Sequence, residues 1–237
     1  MKILSLLLSL IFILNSNLFA GTALVTFDAE AYSTGANLTT CGWTGTSTNN
    51  LEISDAVKHA GSNSIRITGV ENGTDTVYLP FTQQTTETFT IDFYYYTHNL
   101  AYESYMFLRI ADASTNTFWL KSGNGAIGLK YYNRGGYWLD IQAASIDTWY
   151  HIEVQINTNT QKMSAWVDNT LRIDNVDTTN ATDPDRLILC DLQSYNSGEY
   201  QYVDDIIIYS GNRGTYDPGT PAAGPLNIFS NTLMLGE

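Results

Sequence analysis

The sequence predicts an all-β chain built as two antiparallel sheets packed face to face. Three observations carry that expectation. Nearly every periodic segment alternates apolar and polar residues with period two, clusters of Gly, Asn, Asp, Ser and Thr separate the segments, and helical spacing is scarce after the first twenty residues. Many strands with short connections bury their apolar faces most simply by stacking one sheet on another. At 237 residues the chain is long enough for one large β domain with a sizeable core.

Residues 1–20 place Lys2 before a solid apolar run from Ile3 to Leu14, the pattern of a secretory signal peptide. That run is about a dozen residues, short of the roughly 18 to 20 that a membrane-spanning helix needs. The expectation is therefore a secreted or cell-surface protein with no membrane span. The folded domain then covers residues 21–210, and residues 211–237 change character. Pro218, Pro221 and Pro225 with Gly219 and Gly224 give linker composition, followed by a short apolar segment from Leu226 to Leu235. This tail reads either as a frayed end or as a docking segment for a protein partner.

Within the domain, strands are expected at Ala23 to Asp28, Ser64 to Thr68, Thr76 to Phe81, Thr88 to Thr97, Tyr105 to Ala111, Thr117 to Lys121, Ile127 to Tyr132, Tyr137 to Ile141, Trp149 to Asn157, Lys162 to Asp168, Leu187 to Asp191 and Tyr200 to Tyr209. Turns such as Ser122-Gly123-Asn124-Gly125 and Asn133-Arg134-Gly135-Gly136 are hairpin signals, because Gly and Asn accept positive φ. Cys41 and Cys190 are the only cysteines. In an exported protein an even count reads most simply as a disulfide, the alternative being that Cys190 is a small core residue of the run Leu187-Ile188-Leu189-Cys190. Three triplets, starting at Asn37, Asn72 and Asn180, match the glycosylation acceptor pattern.

Composition limits the function. There are 11 Lys+Arg against 24 Asp+Glu, a formal charge of -13 and pI ≈ 4.4. Nucleic-acid binders neutralise phosphates with clustered Lys and Arg, so an ordinary electrostatic binder of DNA or RNA is excluded. Charged residues are only 15% while aromatics reach 13%, with 16 Tyr and 5 Trp, so neutral polar groups and exposed rings must form much of the surface.

Alternation assigns faces. In Phe89 to Tyr96 one side is Phe89, Ile91, Phe93 and Tyr95, an apolar core face; the other carries Asp92, Tyr94, Tyr96 and, if the strand continues, His98. The same rule sends Tyr105 and Arg109, then Trp119 and Lys121, then Lys130 and Tyr132, then Trp138 outward, with Tyr137, Leu139 and Ile141 inward. If these strands share one sheet, its open face carries Asp92, Tyr94, Tyr96, Tyr105, Arg109, Trp119, Lys121, Lys130, Tyr132 and Trp138, with Arg134 reaching over the rim from its turn. Rings interleaved with a few charges suit a sugar chain, since pyranose CH faces stack on aromatics and hydroxyls take hydrogen bonds from polar groups. Much of the scarce positive charge falls on the same candidate face, so an anionic glycan is not excluded by the pI.

Val25-Thr26-Phe27-Asp28-Ala29-Glu30, the turn His59-Ala60-Gly61-Ser62-Asn63 before Ser64-Ile65-Arg66-Ile67, the hairpin Trp149 to Asn169 and the closing Tyr202-Val203-Asp204-Asp205-Ile206-Ile207-Ile208 together resemble the concanavalin A-like lectin/glucanase superfamily, including laminin G-like and carbohydrate-binding modules. The resemblance implies an antiparallel two-sheet jelly-roll sandwich and a secreted domain that binds a polysaccharide or glycan without catalysis. It also implies a structural calcium ion held by Asp28 near the first strand and Asp205 in the last, for which hard oxygen ligands are suitable. Laminarinase-type members place catalytic carboxylates as Glu-x-Asp-x-x-Glu, which is missing here, so no catalytic residue is assigned. The alternatives are a jelly-roll polysaccharide lyase or glycoside hydrolase, with Tyr132, Arg109 and His98 on one face as a lyase centre, and an extracellular adhesion or structural subunit that docks through its tail.

Overall fold

A computed structural model describes residues 21–47, 50–68, 75–85, 87–98, 105–111, 116–122, 129–132, 137–178, 183–192 and 200–214. The signal segment 1–20, Arg134, the acceptors Asn72 and Asn180, and the tail from residue 215 onward lie outside these residues. So do the side chains of Tyr105, Arg109, Trp119, Lys121, Tyr132, Trp138 and Cys190.

The strands are β1 (Ala23–Phe27), β2 (Thr44–Thr46), β3 (Leu51–Ser54), β4 (Ser64–Thr68), β5 (Thr76–Pro80), β6 (Thr88–Thr97), β7 (Tyr105–Ala111), β8 (Asn116–Ser122), β9 (Leu129–Tyr132), β10 (Trp138–Gln142), β11 (Thr148–Asn157), β12 (Lys162–Val167), β13 (Thr170–Asp177), β14 (Arg186–Leu192) and β15 (Tyr200–Ser210). All the pairings are antiparallel. An eight-stranded sheet runs β13-β12-β11-β6-β15-β4-β3, with β1 also on β15, and a seven-stranded sheet runs β10-β9-β8-β7-β14-β5-β2. The predicted all-β sandwich is the fold observed.

Between the sheets lies one core. Phe89, Ile91, Phe93 and Tyr95 of β6 and Ile152, Val154 and Ile156 of β11 are almost fully buried, as are Val77, Ile110, Leu120, Leu129, Leu187 and Leu189 from the seven-stranded sheet. These are the inward positions that alternation assigns.

At the centre of its sheet, β15 pairs with β6 along one side, while β4 and β1 share the other side end to end. The register with β6 shifts between Asp204 and Ile207, and Asp205 there has φ of 51°. Such a bulge re-aims side chains. Here it seats Asp204 and Asp205 at the seam between β1 and β4. The β3–β4 connection is tied to this seam: Asp204 Oδ2 accepts from the His59 and Ala60 amides at 3.0 and 3.4 Å, and Glu30 Oε1 from the Ser62 and Asn63 amides at 2.7 Å each. Gly61 sits against the Glu30 carboxylate at φ of 61°, where any Cβ would collide with that side chain.

Three expectations are corrected. β6 belongs to the eight-stranded sheet and β7 to β10 to the other, so the strands assigned to one open face do not share a sheet. Tyr137 and Leu139 are exposed rather than inward, because β10 is an edge strand; only Ile141 reaches the core. Cys41 is a free, buried thiol that donates to the Asn37 carbonyl at 3.4 Å, not half of a disulfide with Cys190. Its segment leads into β2, and β5 stands between β2 and the strand that holds Cys190. The Asn37 acceptor is sealed as well: its Nδ2 donates to the Ser47 carbonyl at 3.2 Å and its Oδ1 accepts from the Thr39 amide.

Candidate functional site

The outer face of the eight-stranded sheet is where rings and titratable groups converge. Positions between the core residues of β6 put Asp92, Tyr94 and Tyr96 on this face, and those of β11 add Trp149, His151, Glu153 and Gln155. Register sets them side by side: Tyr96 faces Trp149, Tyr94 faces His151 and Asp92 faces Glu153. Across the other edge of β6, Tyr202 lies opposite Tyr96 and Asp204 opposite Tyr94.

The rings form a continuous array. His59 stacks on Tyr94 with centroids 3.4 Å apart, and Tyr94 stacks on His151 at 4.7 Å. Trp149 meets His59 edge-on at 5.8 Å and Tyr96 at 5.3 Å, and Tyr96 meets Tyr202 at 5.7 Å. Tyr94, Tyr96 and Trp149 are half-buried, each presenting part of its ring to solvent. Burial, then nearby carboxylates, pushes the Tyr94 phenol above its ordinary range.

Charged groups interleave with the rings. His151 Nε2 lies 2.7 Å from Asp92 Oδ1, His59 Nδ1 lies 2.9 Å from Asp205 Oδ2, and His98 Nδ1 lies 2.6 Å from Asp147 Oδ1. The chain just past β15 folds back along this face. Gly211 accepts from Thr90 Oγ1, Arg213 Nε donates to the buried Glu153 Oε2 at 2.6 Å, and its guanidinium lies over the Trp166 ring at 5.1 Å.

Asp92, His151 and Glu153 offer ligand atoms within 4.8 Å of one another. The Arg213 guanidinium on Glu153 supplies the positive charge that a metal ion would bring, which argues against a metal ion held by all three. The same two carboxylates approach the separation of about 5–5.5 Å used by retaining glycosidases. Glu153, however, is held by Arg213, and Asp92 pairs with His151.

Titration of this region gives a prediction. Burial pushes the Asp204 carboxyl up to about 6. The hydrogen bond that His151 donates to Asp92 raises its imidazole. Both groups bind a proton more tightly folded than unfolded, so the stability they contribute is present below their unfolded values and lost as pH rises through the folded ones. Glu30, lowered by the Asn63 and Ser62 amides, and Asp147, lowered by His98 and Tyr96, act in the opposite sense and lose their contribution as the medium turns acid. Stability should therefore peak in the mildly acid range, with a thermal midpoint near about pH 5 some 3–6 °C above that near about pH 8. Thermal unfolding followed by circular dichroism checks this; a higher midpoint on the alkaline side would contradict it.

The residues expected to form one site are divided. Asp92, Tyr94 and Tyr96 stand on the face just described. On the seven-stranded sheet, Arg109 of β7 is opposite Trp119 of β8, Lys121 opposite Lys130 of β9, and Tyr132 opposite Trp138 of β10; Tyr105 is opposite Leu192 of β14. Lys130 pairs with Asp140 at 2.6 Å. His98 follows β6 while Tyr132 and Arg109 belong to the other sheet, so the three do not assemble as a lyase centre. Of the two residues expected to hold calcium, Asp28 Oδ1 caps the Glu30 amide and Asp205 Oδ2 lies 2.9 Å from His59 Nδ1. Sequence reasoning missed His59, Trp149, His151, Glu153 and Arg213. The period-two rule applied to Trp149 to Asn157 yields three of them, but only the pairing of β11 with β6 shows that they join Tyr94.

No family model matches the chain, and no curated protein matches it. Among solved structures it is similar to a sialidase at 11% identity and TM-score 0.62, over 83% of this chain and only 19% of that one. It is similar to the catalytic domain of a glycoside hydrolase family 131 protein from Coprinopsis cinerea at 16% identity and TM-score 0.58, over 83% and 98% of the two chains. It is also similar to domain 4 of an extracellular arabinanase from Geobacillus stearothermophilus, solved with arabinotriose, at 12% identity and TM-score 0.53, over 85% and 97%. The chain thus spans about a fifth of the sialidase and nearly all of the other two. At such identities the likeness establishes the sandwich fold.

Proposed function

We propose that the protein binds carbohydrate outside the cell through the outer face of the eight-stranded sheet. The observation that carries this reading is the continuous array of His59, Tyr94, His151, Trp149 and Tyr96, part-exposed and flanked by hydrogen-bonding carboxylates. Sugar CH faces pack on such rings while hydroxyls bridge to Asp92, Asp147 and Asp205. Support comes from two similar structures, one solved with an arabinose oligomer and one the catalytic domain of a glycoside hydrolase. Among the described residues no helix is long and apolar enough to cross a membrane. The leader-like sequence of residues 1–20 supports export.

Trp149→Ala is the direct test, read by calorimetry and polysaccharide pull-down. Loss of one stacking ring should weaken glycan binding about tenfold, or about 1–2 kcal/mol. Trp119→Ala, on the opposite sheet, should leave the affinity within about twofold. Binding that follows Trp119 instead would move the site to the seven-stranded sheet, and silence across a broad glycan array would end the reading.

A further inference from the structure

The chain contains 3 histidines, and all of them stand at the ring-lined face, each against an aspartate: His151 with Asp92, His59 with Asp205 and His98 with Asp147. The arginines on this face are spent elsewhere. Arg213 is held by Glu153, and Arg66 of β4 by Glu52. Lys162 pairs with Asp177 toward the sheet edge. Of the remaining cations nearby, Lys58 gives its Nζ to the Asp55 carbonyl and Arg172 sits on the edge strand β13. Among the described residues the three aspartates beside the rings are therefore paired with imidazoles, and an imidazole is a cation only while it holds a second proton.

Resting on the carbohydrate reading above, the geometry points to a glycan bearing amino groups as the ligand class, its cationic nitrogens taking the places of the histidine protons beside Asp92, Asp147 and Asp205. An ammonium near these carboxylates also faces Tyr94, Tyr96 and Trp149, whose ring faces attract cations. Neutral sugars offer these aspartates hydroxyl hydrogen bonds but no opposite charge, and uronates are repelled by them.

Protons and ligand compete for the same carboxylates, so binding must expel protons, and affinity must rise with pH while the ligand charge is constant. The groups facing each imidazole are known. The His151 ring has Asp92, Tyr94, Glu153 and Arg213 about it, with Asp168 accepting from its amide; the His59 ring has Asp205, Tyr94 and Trp149, with Asp204 accepting from its amide; and the His98 ring has Asp147, which also accepts from Tyr96. Burial raises the Asp204 carboxyl to about 6, and backbone amides enclose it.

The test uses a permanently charged probe, an N,N,N-trimethylated chitosan oligomer, against N-acetylchitohexaose and an oligogalacturonate, with the full chain in calorimetry at low salt. The trimethylated oligomer should bind at least about tenfold more tightly near about pH 8 than near about pH 5.5, weaken with added salt, and release protons, seen as heats that differ between buffers of unlike ionisation enthalpy. His151→Gln, at the pair whose imidazole is raised by Asp92, should reduce the proton release. If N-acetylchitohexaose or the oligogalacturonate binds as well as the cationic probe, or if affinity is flat in pH, the amino-glycan inference is overturned while glycan binding stands. If none of the three probes binds and the glycan array is also silent, both fall.

Discussion

Phe93→Ala should lower the unfolding free energy by about 3–5 kcal/mol and the thermal midpoint by about 10 °C or more. Phe93 is fully buried at the middle of β6, opposite Ile152 of β11, and the strands on both sides of β6 are the longest pairings in the molecule. Truncation removes a ring from a site that the backbone cannot close up, because β6 is pinned by ladder hydrogen bonds to β11 and β15. The transfer loss and the cavity therefore add. Chemical denaturation with the slope held constant checks the number. A cost below about 1 kcal/mol would mean that the sheets do not pack across β6 as described.

Arg213→Ala should cost about 2–4 kcal/mol, a large effect for a residue beyond the last strand. Glu153 is almost fully buried, and without Arg213 its carboxylate has lost its cation in a site where water does not replace it. The contacts of Arg213 with Asn169 and with the Trp166 ring go at the same time. Combining Arg213→Ala with Glu153→Gln should recover part of the loss, since the buried charge is then gone, and a double-mutant cycle isolates the pair. Strict additivity in that cycle would deny the interaction.

Much of the fold was legible because alternation is a direct image of burial. The apolar core residues of β6 and β11 follow one parity, while Thr90 and Glu153 are buried on the opposite face, under the segment that follows β15. Three strands were not legible. β2 is three exposed residues containing Gly45, β3 is four residues long, and β13 buries little beyond Ile173, so none shows a run of alternation long enough to register. The site was half legible for a topological reason. Parity tells which side of its own strand a residue occupies, not which sheet the strand joins, and β6 and β7 are consecutive in sequence yet fall in different sheets. Tyr94 and Asp92 were placed correctly on an outer face, and their neighbours were sought on the wrong strands. His59 was out of reach of any periodic rule, since a loop carries it to Tyr94 and the amide contacts of Asp204 hold it there.

The position of β15 bears on when the molecule acquires structure. Its residues complete the ladders of β1, β4 and β6, so the eight-stranded sheet lacks its middle until nearly the whole domain has left the ribosome. Pairings between such distant parts of a chain are slow, because the loop they close must be ordered before any contact rewards it. A nascent chain arrested before Tyr200 should accordingly stay protease-sensitive. For a polypeptide whose opening residues read as an export address, late closure keeps it threadable through a narrow translocation channel and defers folding to the far side.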